Sequence, residues 1–225
     1  MKKLFALMLA LLLILSGLGS AMAEDTSLQA ILDKGKFILG FDSGFPPMGY
    51  VDDATGAYVG FDLDVAKEVC ARLGVELVLQ PIDWAAKDME LNGGGIDCIW
   101  NGMTVTPERE EGMALSYHYL QNAQVVAVLA SSPYQSFADL AGKDISIQAG
   151  SSAEEALDSA VEFKASLASV NPYADNTMAL LDLDNGTVAA TALDLIVADP
   201  STPMRPLTEP EGNAVGRISF HAGDR

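Results

Sequence analysis

The chain has 225 residues, 49% of them hydrophobic and 20% charged, and a formal net charge of −18 at pH 7. This acidic balance argues against nucleic acid and anionic lipid headgroups as partners, because both would repel the protein. The length is enough for one sizeable domain or two small lobes. No cysteine and histidine spacing of the zinc type appears, so we expect neither a metal nor a cofactor.

Residues 1–23 have the three parts of a secretory signal peptide: two lysines, an apolar run and an Ala-x-Ala site that ends at Ala23. A membrane anchor is the alternative, but the run is shorter than the roughly 20 residues needed to cross a bilayer. Leu18 stands where a lipoprotein would carry its acylated cysteine. We therefore expect an exported protein, periplasmic or extracellular, that is not lipid-anchored. Cleavage removes two lysines and no acid, which leaves 202 residues with a charge of −20.

Strand-like and helical patterns alternate after the signal peptide. The predicted elements, in chain order, are a strand at 36–41, a rigid loop at 44–47, a turn at 53–56, a return at 58–61, a helix at 62–73, a strand at 75–80, a helix at 84–92 and a buried strand at 96–100. Gly74 is placed to end the first of these helices.

The alternation restarts after residues 117–120. The predicted elements are strands at 124–130, 144–147 and 188–193, helices at 153–161 and 177–184, and a loop at 148–152. This order predicts α/β layers with mostly parallel strands. We predict a signal peptide at 1–23, a first lobe at 24–120, a second lobe at 121–216 and a truncated return segment to the first lobe at 217–225. A β-rich crossing near 119–124 suggests a hinge between the lobes.

A glycine-bearing loop, residues 101–109, follows the buried strand. Thr106 can cap a new helix, with Pro107 at its first position. Arg109 then lies in the first turn, where its guanidinium could bind a carboxylate through two parallel hydrogen bonds. The alternative is an ordinary helix start with a solvated arginine, and these nine residues alone do not decide between the two.

Cys70 lies in a helical pattern and Cys98 in a strand pattern, both at positions suited to burial. One disulfide is possible in an oxidising compartment. We favour two unpaired core thiols, because a sequence does not give the separation of the two residues.

Several motifs, in order and over most of the mature chain, carry a resemblance to a known family. The matching residues are Gly40 to Met48, Gly60 to Ala66, Ile82 to Trp84, Ile96 to Arg109, Ala149 to Ser152 and Ala179 to Gly186. Together they resemble the extracellular amino-acid-binding proteins of ABC importers, the polar amino-acid (family 3) group. The resemblance implies a two-lobed, periplasmic-binding-protein-like (type II) α/β fold with a ligand cleft between the lobes. It also implies a free amino acid and an ABC transporter permease as partners, and we expect a monomer.

The resemblance also implies roles for particular residues. Arg109 would bind the α-carboxylate, helped by the backbone at Thr104 and by Ser152, and Asp194 would take the α-ammonium. The Gly102 carbonyl and the Thr104 hydroxyl would be further acceptors for the ammonium group, and Asn101 of the same loop would also contact the ligand. Phe45 and Trp84 would flank the ligand side chain as flat apolar walls. Asp42 could meet a polar or cationic end of the ligand side chain. Gln148 occupies a position where relatives often have a basic residue near the ligand, so specificity cannot be copied from them.

Each of these residues has a simpler reading. Phe45 and Trp84 could be core aromatics, Asp194 could cap the helix after it, and Asp42 could only form a turn.

The family usually has an acid where Ala189 stands, a change that we expect to affect local structure more than binding. The chain ends at Arg225, where relatives usually continue with C-terminal helices. We expect the first lobe to lack these helices and to expose apolar surface.

Three other functions compete with amino-acid capture. Some proteins of this fold resemble cyclohexadienyl dehydratases, which need a positioned general acid in the cleft. We find no acid–base constellation beyond Asp42 and Asp194, and therefore predict that the protein is not an enzyme. A sensory ligand-binding module would need a second membrane segment or a signalling domain, and a truncated, non-functional binding protein is the last alternative.

Overall fold

The computed structural model describes residues 26–198 and 204–207. The predictions for the signal peptide (1–23) and for the return segment (217–225) concern residues outside these ranges. Within them the chain has the predicted α/β architecture, with two lobes built around separate sheets. The boundaries 24–120 and 121–216 stay a prediction, although the two sheets lie on either side of the predicted crossing.

The first lobe is built on a parallel sheet with strand order β5–β1–β6. Its strands are β1 (Lys36–Phe41), β5 (Glu76–Pro81) and β6 (Cys98–Ile99). A small antiparallel sheet in the order β2–β3–β4 contains β2 (Gly44–Phe45), β3 (Gly49–Val51) and β4 (Tyr58–Val59). The helices are α1 (Ser27–Lys34), α2 (Phe61–Leu73), α3 (Lys87–Asn92) and α4 (Pro107–Gly112), and a short 3-10 turn at Trp84–Ala86 precedes α3.

The core of the first lobe lies between β1 and α2. Apolar residues on α2 recur three or four positions apart, at Leu63, Ala66 and Cys70, which places them on one face of the helix. Leu63 and Ala66 pack against Leu39 and Phe41 of β1, and all four are fully buried. This packing fixes the end of β1, from which the chain continues directly into the cleft.

The second lobe is built on a five-stranded sheet with strand order β11–β7–β10–β8–β9. Its strands are β7 (Gln124–Leu129), β8 (Asp144–Gln148), β9 (Ser169–Tyr173), β10 (Ala190–Asp194) and β11 (Met204–Pro206). Its helices are α5 (Ser152–Ser159), α6 (Val161–Ser166) and α7 (Asn176–Asp184), with a 3-10 turn at Phe137–Leu140. The pairs β8–β9 and β8–β10 are parallel, whereas β7 runs antiparallel to both β10 and β11.

Four predicted elements differ most clearly from the observed ones, while most of the others differ by a residue at one or both ends. The strand predicted at 96–100 is reduced to Cys98–Ile99, because the Asp97 carboxylate, not a backbone carbonyl, accepts the Ile38 N–H at 2.7 Å. The helix predicted at 84–92 begins with a 3-10 turn, and the one predicted at 153–161 divides at Ala160 into α5 and α6. The strand predicted at 188–193 begins only at Ala190.

Two further findings concern the cysteines and membrane spans. Cys70 is buried and Cys98 half-buried, and the two are unpaired, as predicted. Among the residues that the structure describes, none of the helices combines the length and the apolar character that a bilayer span requires.

A substitution at Gly60 tests the close approach of the backbone at Gly60 to the backbone at Met48. Its φ of +140° lies outside the range of side-chain-bearing residues, and a Cβ there would lie 2.2 Å from the Met48 carbonyl oxygen. We expect Gly60→Ala to lower the free energy of unfolding by about 3 kcal/mol in urea denaturation. Gly56→Ala is the matched control, because Gly56 also has a positive φ (+69°) but open space around it. The control should lose only about 1 kcal/mol, and equal losses would contradict the close approach at Met48.

Candidate functional site

The two lobes enclose a cavity at the carboxyl ends of their parallel strands. Its lining comes from the last residues of β8 and β10 and from the segments that follow β1, β5, β6 and β8, the usual place for a ligand in open α/β sheets. The lining residues are Phe45, Trp84, Asn101, Gly102, Met103, Thr104, Arg109, Gln148, Ser151, Ser152 and Asp194. The cavity has a volume of about 10 Å³, which is room for about one water molecule. A larger ligand can enter only if the lobes separate.

The local structure around Arg109 matches the sequence prediction. Thr106 caps α4, accepting the Arg109 N–H at 3.4 Å on its side-chain oxygen, and Pro107 occupies the first turn. The guanidinium folds back so that Nη1 donates to the Thr104 carbonyl at 2.7 Å. Nη2 is buried without a hydrogen-bond acceptor in the described part of the chain, although Glu155 Oε1 lies 3.5 Å away. The arginine therefore has donor capacity left for an anionic ligand.

Asp194 lies at the end of β10 and is surrounded by hydrogen-bond donors. Its Oδ1 accepts from Gln124 Nε2 at 2.6 Å, from the Thr104 hydroxyl at 3.3 Å and from Asn122 Nδ2. Burial raises the pKa of Asp194, and these hydrogen bonds and the charge of Arg109 oppose the rise. Within the described residues we find no side chain that donates to Oδ2. The carboxylate thus has one oxygen held by the protein and one available to a cation.

Gln124 connects this carboxylate to the rest of the cavity wall. Its Nε2 also lies 3.0 Å from the Ser152 hydroxyl and 3.4 Å from the Thr104 hydroxyl. Ser152 is the first residue of α5, and Ser151 before it caps the helix by accepting the Glu154 N–H. A single buried amide therefore joins the loop after β6 to the wall of the second lobe.

The two predicted aromatic walls are nearly buried. Phe45 packs with Met48 against Leu193 and Val197 of the second lobe, so its contacts reach across the cleft. Trp84 lies beneath the ammonium group of Lys87, which is 5.4 Å from the ring centroid. Lys87 Nζ also donates to the Gly150 carbonyl of the second lobe at 3.2 Å. Phe45 and Trp84 therefore line the cavity, as the family resemblance predicts, and are also buried in the packing, as expected of core aromatics.

The structure brings nine of the ten predicted site residues together around the cavity, and Asp42 is the exception. Asp42 Oδ2 accepts from Gln148 Nε2 at 2.6 Å, and its Oδ1 accepts the Gly44 N–H at 2.7 Å. Asn176 donates to the other end of the Gln148 amide at 2.8 Å. Asp42 is therefore held by a cross-lobe hydrogen bond and forms its own turn, as the simpler reading proposed. The ligand-binding roles of all ten residues stay a prediction.

A second network lies behind the loop that follows β6. The Gly102 N–H donates to the Tyr119 hydroxyl at 3.2 Å, and this hydroxyl donates to Asp62 Oδ1 at 2.8 Å. Asp62 is fully buried in the first turn of α2. Burial raises the pKa of Asp62 to about 6, although the hydrogen bond from Tyr119 favours its charged form.

Sequence reasoning missed several polar residues at the site, chiefly Asn122, Gln124, Lys87 and Tyr119. Asn122 and Gln124 come at the start of a strand that leaves the predicted crossing, and polar residues at such a junction are a signal that could have been used. Lys87 had no such signal, because a lysine in a helical pattern is usually solvated. Its burial depends on the second lobe.

A wider groove opens beside the cavity and shares Arg109 and Ser151 with it. The groove has a volume of about 520 Å³ and is lined by five acids and two cations, namely Asp88, Glu108, Glu154, Glu155, Asp158, Lys87 and Arg109. Its net charge is negative. In the part of the chain that the structure describes, the His, Cys, Asp and Glu side chains form no group suited to hold a metal ion.

Two lobes closing over a cavity with a buried cation and a buried anion define a cleft-binding protein of the solute-binding type. Residues 37–210 match the bacterial extracellular solute-binding proteins, family 3, and the chain belongs to this family.

Individual relatives agree with this membership. The chain is 32% identical over 122 residues to the arginine-binding extracellular protein ArtP of Bacillus subtilis, covering 54% of this chain and 47% of ArtP. A substrate-binding protein of an ABC uptake transporter from Streptococcus pneumoniae, solved with bound histidine, is 36% identical with a TM-score of 0.73. That match covers 79% of this chain and 72% of the other.

A cyclohexadienyl dehydratase of Pseudomonas aeruginosa is 27% identical over 112 residues, which are 50% of this chain and 41% of the enzyme. The chain thus spans less than half of the length of ArtP and of the dehydratase in these matches.

Asp62 gives a prediction for the pH dependence of stability. An acid whose pKa rises from 3.8 to about 6 on folding binds its proton more tightly in the folded state. Its stabilising contribution is therefore fully present below pH 4 and is lost as the pH rises through 6, a change of about 3 kcal/mol. In urea titrations from pH 4 to 7.5, Asp62→Asn should remove this part of the slope. A variant with the same slope as the wild type would contradict the burial of an ionising carboxylate.

Proposed function

We propose that the protein captures a free amino acid with a polar or basic side chain outside the cytoplasmic membrane and delivers it to the permease of an ABC transporter. One observation carries the proposal: Arg109 and Asp194 reach the same buried cavity from different lobes. An amino acid is a zwitterion, and when it leaves water both of its charges need a partner. The cavity offers one partner of each sign.

The free atoms of the two charged residues support this pairing. Within the described residues Arg109 Nη2 is buried without a hydrogen-bond acceptor, and the Glu155 carboxylate lies 3.5 Å away, which leaves donor capacity for the carboxylate of a ligand. Asp194 has its Oδ1 occupied by Gln124, Asn122 and Thr104, so its second oxygen can accept from an ammonium group. The Thr104 and Ser152 hydroxyls and the loop backbone at Gly102 provide further polar contacts. Phe45 and Trp84 would contact the apolar part of the ligand side chain.

Closure of the lobes follows from the size of the cavity. A volume of about 10 Å³ leaves no room for an amino acid in the closed arrangement. A ligand that contacts both lobes binds the closed form better than the open form and shifts the population toward it. This is the behaviour that a capture-and-release protein needs.

The charge of the neighbouring groove favours a cationic side chain. The five carboxylates of this groove outnumber its two cations, so its net negative charge attracts a basic amino acid and raises its local concentration. The names of the relatives agree, since ArtP is described as arginine-binding and the Streptococcus pneumoniae protein was solved with histidine. Export without a lipid anchor and a monomeric state belong to the same proposal.

The likeness to a cyclohexadienyl dehydratase makes an enzymatic function the second candidate. Such a reaction needs a general acid that holds a proton. Among the described residues that line the cavity, Asp194 is the one carboxylic acid; burial raises its pKa, whereas the three donors on its Oδ1 favour the ionised form. Incubation with prephenate or arogenate separates the candidates, and measurable turnover would favour the enzyme.

Replacement of Arg109 tests the proposal. In calorimetric titrations with the twenty amino acids, we expect at least one to bind the wild-type protein. Arg109→Ala should weaken that binding at least about hundredfold, because a buried carboxylate would lose its charged partner. Arg72→Ala is the matched control, since Arg72 lies on the exposed side of α2 and pairs with Glu68 at the surface.

Circular dichroism and thermal unfolding should show that both variants are folded. Undiminished affinity in Arg109→Ala would contradict the carboxylate role of this arginine. Absence of binding by the wild type to all twenty amino acids would contradict the proposed function itself.

A further inference from the structure

We propose that Tyr119 is a positioning residue for the amino-acid site: its hydroxyl, anchored on the buried carboxylate of Asp62, fixes the orientation of the peptide between Asn101 and Gly102. The inference rests on the proposed function of the cavity. Neither Tyr119 nor Asp62 belongs to the cavity lining, whereas Asn101 and Gly102 do. The two residues would therefore act on the ligand through the loop.

The direction of the hydrogen bonds is determined by the chemistry of the three groups. In its ionised form, the fully buried Asp62 carboxylate can only accept. The Tyr119 hydroxyl therefore gives its single proton to Asp62 Oδ1, over 2.8 Å. The remaining lone pairs of the hydroxyl accept from the Gly102 N–H, at 3.2 Å. Burial beside Asp62 raises the pKa of Tyr119, which keeps its hydroxyl protonated.

Fixing one N–H fixes the whole peptide unit. A peptide bond is planar and trans, so the Asn101 carbonyl points in the direction opposite to the Gly102 N–H. With this N–H directed to Tyr119, the carbonyl is directed away from Tyr119. Gly102 has a φ of +57° and no side chain to restrict it, so an external acceptor is what selects this peptide orientation.

The position of Tyr119 in the chain adds a second connection. The segment 113–123 leads from α4 to β7 and so from the first lobe to the second. The Tyr119 ring stacks on Phe61 at the start of α2, with the centroids 6.4 Å apart and the planes 22° apart. Three residues later, Asn122 donates to Asp194. The segment 113–123 thus contacts the loop at Gly102 through Tyr119 and the Asp194 carboxylate through Asn122.

Tyr119→Phe tests the inference because it removes the hydroxyl and keeps the ring. Without its acceptor, the Gly102 peptide can rotate in the free protein and must be reordered when the ligand binds. We expect the affinity for the amino acid that binds the wild type to fall about tenfold in calorimetry. We also expect the Gly102 amide proton of the ligand-free protein to shift upfield in ¹H–¹⁵N spectra and to exchange faster with solvent.

Tyr117→Phe is the matched control, because Tyr117 lies on the same crossing but is 96% exposed. It should leave both the affinity and the Gly102 resonance unchanged. Thermal unfolding of each variant distinguishes positioning from a merely structural role. A Tyr119→Phe protein that melts at a lower temperature but binds with wild-type affinity would overturn the inference.

The failure of this inference can be distinguished from failure of the proposed function. If the wild type binds and Tyr119→Phe leaves the Gly102 resonance in place, the hydrogen bond is absent and the inference fails alone. If the wild type binds no amino acid, the proposed function fails, and the positioning role fails with it even where the Gly102 resonance shifts.

Discussion

Two opposite charges, Arg109 and Asp194, are buried at one cavity. Most features of the site follow from the need to keep the two apart and to give each of them hydrogen-bond partners. Thr104 stands between them: its carbonyl accepts from Arg109 and its hydroxyl donates to Asp194. The groups that hold Asp194 most closely are neutral amides, Asn122 and Gln124, which can stabilise the carboxylate without neutralising it. Arg109 and Asp194 form no direct ion pair with each other in the described structure. The arrangement leaves each of them with capacity for a zwitterion.

Closure of the lobes depends on contacts that lie around this cavity. Several polar contacts join the lobes: Gln148 donates to Asp42, Lys87 donates to the Gly150 carbonyl, and the Thr104 hydroxyl donates to Asp194. Phe45 and Met48 add an apolar contact with residues near the end of β10. These contacts stabilise the closed form, and a bound amino acid would add its own. The balance between the two sets would determine how easily the protein releases its ligand.

Much of the fold could be predicted from local patterns. β1 has the predicted bounds, and the cap formed by Thr106 and Pro107 places Arg109 as expected, because capping and apolar periodicity depend on near neighbours in sequence. β9 was missed because Pro172 argues against a strand, and its position at the edge of the sheet is what makes the proline acceptable. The shortening of β6 depends on the side chain of Asp97, which no hydrophobic pattern reveals.

The site was predictable in part, and mainly through the family resemblance. Nine predicted residues line the cavity, but Asp42 is bound by Gln148 across the cleft, a partner 106 positions away in sequence. Asn122 and Tyr119 acquire their contacts only when the crossing passes between the lobes. Such roles depend on how the lobes meet. A single sequence carries no direct signal for that arrangement.

The central claim is that both charges of an amino acid are held at once, and a comparison of ligands tests it most directly. The binding amino acid, its methyl ester and its desamino analogue should be titrated calorimetrically into the unmodified protein. The ester loses the negative charge and the desamino analogue loses the positive one, so each should bind at least about hundredfold more weakly. Affinities for the ester and the desamino analogue equal to that of the parent amino acid would contradict the claim.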